Sequence, residues 1–109
     1  MCETKMAVNG LGDTVYLMNS LNYKDRFKAE YIQTKIRYEK LKAFNTKIEA
    51  ANVTQYCGEP ISPGPDTRKR VEMPKHDCPD HLLREQQRIM GEYLHILEVR
   101  ALIEGVELN

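Results

Sequence analysis

The chain has 109 residues and a mass of 12.7 kDa, with 16 Lys+Arg against 16 Asp+Glu, 41% hydrophobic residues and 29% charged residues. That is room for one small domain, too apolar for a disordered tail and too evenly charged for a nucleic-acid coat or a polybasic membrane anchor. No apolar run approaches the roughly 18 residues needed to cross a bilayer, Met1 to Val8 lacks the apolar core of a signal peptide, and three cysteines read as free thiols in a reducing cytosol.

Residues 1–21 form an N-terminal extension, with Gly10 and Gly12 ahead of a short apolar patch, Val15-Tyr16-Leu17-Met18. Residues 22–108 read as one helical hairpin domain. Its first helix is predicted over about 22–51. Asn22 is a good N-cap, and Asp25 places a negative charge in the first turn. Phe27, Tyr31, Thr34, Tyr38, Leu41, Asn45 and Ile48 then alternate in steps of four and three, a heptad seam with polar breaks at Thr34 and Asn45. Ile32, Ile36, Ala43 and Phe44 widen the apolar face. The tyrosines on these helices, Tyr31, Tyr38 and Tyr93, read as core or interface residues rather than base-stacking platforms.

Residues 52–77 hold Pro60, Pro63, Pro65 and Pro74 with Gly58 and Gly64, so they are expected to be an irregular connection. A second helix is predicted over about 78–104. Pro79 suits its first turn, with Cys78 or Asp77 as cap. Leu82, Ile89, Ile96 and Ile103 recur every seven residues; so do Leu83, Met90 and Leu97, and so do Leu94 and Ala101. Gly105 followed by Val106 marks the stop, a left-handed residue and then an apolar one. Gly91, in mid-helix, points to a close helix crossing, or to space for a ligand.

The fold class is therefore all-α, an antiparallel two-helix hairpin with an irregular Pro/Gly-rich connection. Residues 22–51 carry eight basic and four acidic residues, and residues 78–109 carry three basic and six acidic, so the helices attract. Three apolar rows on the second helix are more than one neighbour covers. The expectation is a homo-oligomeric helical bundle, most simply a dimer of hairpins with four helices.

Several groups could carry chemistry. Cys57, His76, Cys78 and His81 are zinc-ligand types, but their spacing matches no standard finger, and no metal is assigned. Arg68, Lys69 and Arg70 in the connection could grip phosphate; the acids Glu59, Asp66, Glu72 and Asp77 around them allow a plain solvated loop. Tyr23, Lys24 and Arg26 stand at a helix start, where free N–H groups favour an anion. These six, Tyr23, Lys24, Arg26, Arg68, Lys69 and Arg70, are the candidate ligand-binding residues. There is no Walker loop, GxGxxG, HExxH or GxSxG, so no enzyme and no cofactor are expected.

Cys78-Pro79, Leu82-Leu83, Gln86, Met90, Tyr93-Leu94, Leu97-Glu98, Arg100-Ala101 and Ile103-Glu104-Gly105-Val106 resemble a family of small bacteriophage proteins best known from crAss-like phages. Tyr23-Lys24-Asp25-Arg26 through Tyr38-Glu39-Lys40-Leu41 is similar to that family's opening. The resemblance covers about residues 18–108; the connection is longer and more basic, and residues 1–17 are additional. It implies an accessory protein in the host cytoplasm and assigns no residue a role. By analogy with phage sponges that sequester the signals of CBASS and Thoeris immunity, the function expected is anti-defence: binding a nucleotide second messenger, a cyclic oligonucleotide or an ADP-ribose derivative, in pockets between subunits without catalysis. The alternative is an anti-CRISPR-like inhibitor that docks on a host defence protein through its helical surface. Zero net charge argues against nucleic acid as partner.

Overall fold

The computed structural model describes residues 10–55 and 70–108. A single turn of 3-10 helix, Leu11–Thr14, leads into α1, Val15–Met18; α2 runs over Tyr23–Gln55 and α3 over Asp80–Glu104. The described residues are helical or irregular, with no strand among them, which agrees with the all-α expectation.

The ends of the long helices follow local chemistry. Asn22 caps α2: its Oδ1 accepts the Lys24 N–H at 3.0 Å. Nothing in Ala51-Asn52-Val53-Thr54 breaks a helix, and α2 continues four residues past the expected end, to Gln55. The Thr54 hydroxyl turns back onto the Ala50 carbonyl at 2.9 Å and accepts the Val71 N–H at 3.2 Å, which ties the far side of the connection to the end of α2. α3 begins later than expected. Pro79 is itself the N-cap residue, at φ −57° and ψ 140° with no side-chain cap, so neither Cys78 nor Asp77 caps the helix. Proline's fixed φ suits that extended position, and its carbonyl accepts the Leu82 and Leu83 N–H groups. At the other end Gly105 is left-handed, φ 69° and ψ 37°, and the Val106 N–H reaches back to the Ala101 carbonyl at 2.9 Å. Val106 then packs on the core, as a Schellman stop requires.

α3 runs back along α2. Tyr31 hydrogen-bonds Glu98, whereas Asn45, fourteen positions further along α2, meets Leu83 and Gln87. Phe27, Tyr31, Leu94, Leu97 and Ala101 form the buried cluster, flanked by Ile32, Tyr38, Val106 and Leu108. The seam read from the sequence is the face α2 presents to α3, with Phe27, Tyr31, Asn45 and Ile48 buried and Thr34, Tyr38 and Leu41 half-buried. Gly91 makes room for Tyr38, whose ring edge stands 3.3 Å from where a Cβ would sit. The close crossing, not space for a ligand, accounts for this glycine.

Residues 10–18 lie on another face of α2. Thr14 is buried, its hydroxyl donating to the Leu11 carbonyl at 2.6 Å and accepting from Gln33 Nε2 at 2.7 Å. Ala29, one helical turn before Gln33, is fully buried.

Of the three apolar rows on α3, two face α2 and one does not. Leu82, Ile89, Ile96 and Ile103 remain 51%, 51%, 55% and 78% exposed.

Asn45 is the buried polar residue of the seam. Its Nδ2 donates to the Leu83 carbonyl at 3.1 Å and to Gln87 Oε1 at 2.9 Å, while its Oδ1 is buried without a partner. A slip of α3 along α2 would strand this amide, so it fixes the register. Asn45→Ala is expected to cost about 1–3 kcal/mol, read as a lowered urea midpoint at unchanged slope.

Candidate functional site

The candidate residues that the structure describes fall at opposite ends of α2. Lys24 and Thr54 are 30 residues apart, about 45 Å along the axis at 1.5 Å per residue. Tyr23, Lys24 and Arg26 are at the first end, with exposed side chains. Arg70 is at the other, exposed, one residue before the Val71 amide that is held by Thr54. Arg68 and Lys69 lie outside the described residues. Within one copy Tyr23, Lys24 and Arg26 do not meet Arg70.

The start of α2 is already internally bonded. The Asn22 side chain occupies the Lys24 amide, the Ser20 hydroxyl donates to Asp25 Oδ2 at 2.7 Å, and Arg26 Nη1 donates to the Ser20 carbonyl at 2.8 Å. The Lys24 ammonium and the Tyr23 ring remain presented to solvent.

A groove of about 410 Å³ runs between the second half of α2 and the start of α3. Lys42, Thr46, Glu49 and Asn52 form one wall, Asp80, Arg84 and Gln87 the other, with Ile48 and Asn45 at the seam. Two cations face two carboxylates and three amides, a lining for polar groups of mixed charge. Of these residues only the seam positions Asn45 and Ile48 stood out in sequence. The signal of the others was the spacing of three and four that flanks the seam on both helices, which becomes a groove only once the register is known.

His76 organises the approach to α3. Its Nδ1 is 2.8 Å from the Pro74 carbonyl and its Nε2 2.6 Å from Asp80 Oδ1. Its ring stands edge-on to Phe44 of α2, centroids 5.7 Å apart. Both ring nitrogens face acceptors, so the cation is favoured: the hydrogen bond to Pro74, then that to Asp80, raise its pKa above the usual 6.5. With both nitrogens engaged, His76 is not a free metal ligand. Among the described residues no group of three His, Cys, Asp or Glu could hold a metal ion; Cys78 is an exposed free thiol, and Cys57 lies outside the described residues.

The tyrosines divide as the seam dictates. Tyr31 is buried and donates to Glu98 Oε2 at 2.6 Å. Burial first, then the bond to Glu98, push its phenol up to about 12. Tyr38 lies on Gly91. Tyr93, at the edge of the seam, donates to Glu30 across the two helices, and that bond raises its pKa. Arg100 covers the Phe27 ring, 4.7 Å from its centroid.

A protein-family model, Sequestin, matches residues 21–57 and 68–103, two stretches that take in α2 and nearly all of α3. No curated protein and no solved structure matches the chain. No helix among the described residues is long and apolar enough to cross a membrane.

Two titrations follow from the geometry. The unfolded chain loses the Tyr31 proton near pH 10 and the folded chain near 12, so this stabilisation is complete below pH 10 and is lost as pH rises towards 12. Tyr31→Phe is expected to flatten the fall in stability across that window, measured by urea unfolding. The His76 contribution is complete below pH 6.5 and is lost as pH rises through its higher folded value. His76→Gln is expected to remove that step, and a ring-proton NMR titration of the unaltered protein to place His76 above 6.5.

Proposed function

Because the chain belongs to the Sequestin family, we propose that it is a non-catalytic phage accessory protein that binds and sequesters a nucleotide immune signal in the host cytoplasm. The signal is a cyclic oligonucleotide or an ADP-ribose derivative, held in pockets between subunits. The observation that carries this reading is the family match, which spans both long helices; the family's description, Sequestin, fits retention of a ligand rather than its conversion.

The chemistry of the candidate residues supports it. Lys24, Arg26 and Arg70, with Arg68 and Lys69 beside Arg70 in sequence, supply cations for phosphate. The half-exposed ring of Tyr23 offers a face on which a base can stack. The separation of Lys24 and Arg26 from Arg70 along α2 supports a pocket built from more than one copy. A second reading, favoured by the uncovered row Leu82, Ile89, Ile96 and Ile103, is that the helical surface docks on a host defence protein.

A thermal-shift panel of cyclic dinucleotides, cyclic trinucleotides and ADP-ribose derivatives tests the proposal. A bound signal at about a hundred times its Kd adds about 2.7 kcal/mol and raises Tm. Denaturing the complex is expected to release the nucleotide intact by mass spectrometry. Lys24→Ala with Arg26→Ala, or Arg68→Ala with Lys69→Ala and Arg70→Ala, should weaken binding about tenfold or more, since a hydrogen bond to a charged group contributes about 1.5–3 kcal/mol. No shift across the panel overturns this reading in favour of the protein-docking one.

A further inference from the structure

Among the described residues, Asn45 Oδ1 is the buried side-chain acceptor that has no hydrogen-bond partner, in a residue only 8% exposed. The orientation of its amide is settled by chemistry. The Leu83 carbonyl only accepts, so Nδ2 must be the atom that faces it at 3.1 Å, and Oδ1 points the other way. A buried acceptor without a donor is costly, and such a group in a native structure calls for a donor from elsewhere.

Asn45 lines the groove between α2 and α3, and so does Gln87. Gln87 meets Asn45 through Oε1 alone, which accepts from Nδ2 at 2.9 Å, while Oδ1 receives nothing. An edge that sets an N–H donor beside an acceptor would satisfy both sides of the Asn45 amide together, as adenine does with asparagine. We propose that this groove is a ligand site complete within one copy, in which the base edge of a nucleotide replaces the Gln87 carboxamide on Asn45. Nδ2 then donates to the base's ring nitrogen, and the base's amino group donates to Oδ1. Gln87 is half-buried, so its displaced carboxamide turns to water and is hydrogen-bonded there, and the exchange leaves one more buried group satisfied.

The charges of the groove suit the rest of such a ligand. Lys42 on one wall and Arg84 on the other form no ion pair among the described residues, whereas Arg88 and Arg100 of α3 are both paired. Of the two carboxylates in the lining, Asp80 is held by His76 at 2.6 Å, which leaves Glu49 alone against two cations. That imbalance favours one phosphate, bridged between Lys42 and Arg84. The groove's volume of about 410 Å³ falls within the roughly 300–1,000 Å³ of small-molecule sites. Arg70 is held near the same end, since the Val71 N–H is bonded to Thr54, the residue after Val53 in the lining. The choice of a nucleotide rests on the reading given under Proposed function; the unpaired acceptor and the two cations call for a donor–acceptor edge and an anion in any case.

Adenosine 5′-monophosphate is the probe, and purine riboside 5′-monophosphate, which lacks only the amino group, is its control. In amide NMR spectra of the unaltered protein, adenosine 5′-monophosphate is expected to shift the side-chain NH2 signals of Asn45 and to move those of Gln87 to the positions of a solvated carboxamide. The control is expected to bind about tenfold more weakly, because Oδ1 then stays unpaired. Arg84→Glu, at an exposed position, should keep its helical circular dichroism and lose affinity for the probe about tenfold or more. Gln87→Ala should bind the probe at least as tightly as the unaltered protein, since the side chain that has to turn aside is gone. Weaker binding by Gln87→Ala, equal binding of probe and control, or an unmoved Asn45 amide overturns the proposal. Capture of a signal from the nucleotide panel with the Asn45 amide unmoved and Arg84→Glu at full affinity would defeat this site and leave sequestration standing. Binding of the probe at Asn45 by a protein that retains no signal from the panel would do the reverse.

Discussion

Everything in this molecule depends on the seam between α2 and α3. Each helix hides an apolar face against the other through Phe27, Tyr31, Leu94, Leu97 and Ala101. The hydrophobic effect is non-directional, so apolar contact alone would tolerate sliding. The directional groups supply the rest: Asn45 on Leu83 and Gln87, Tyr31 on Glu98, and Tyr93 on Glu30. Register in turn decides which side chains share a groove and which stay uncovered.

Function enters through what the seam leaves over. The alignment of α2 and α3 holds Lys24 and Arg26 near one end of a long rod and Arg70 near the other. It also turns the row from Leu82 to Ile103 outward. Membership in the Sequestin family is what supports the proposal that these cations meet a ligand.

Much of the fold was legible because period and caps are local signals. The seam positions, the Asn22 cap, the Gly105 stop and the uncovered third row could all be read from spacing, since each depends on residues within two turns of one another. The misses share a different cause. That Thr14 and Ala29 are buried, and that Gln33 bonds Thr14, depends on a segment folding back on α2, and Thr14 and Gln33 carry no periodic signal of their own. Asn45 read as a break in the seam because its partners are 38 and 42 residues away. The start of α3 was placed too early because a proline can stand at the cap as well as inside the first turn. The groove between Lys42 and Arg84 needed the register of both helices before its residues became neighbours.

The seam is not uniform along its length. The contiguous apolar cluster gathers towards the start of α2 and the end of α3, where Val106 and Leu108 close over it. The far end is fastened by the Asn45 amide, the His76 imidazole and the Thr54 hydroxyl. Local opening is easiest where buried apolar contacts are fewest. The rod should therefore behave like tweezers riveted at one tip, with breathing confined to the end that carries Arg70. In that arrangement the end that carries Arg70 can open while the riveted end keeps the two arms aligned.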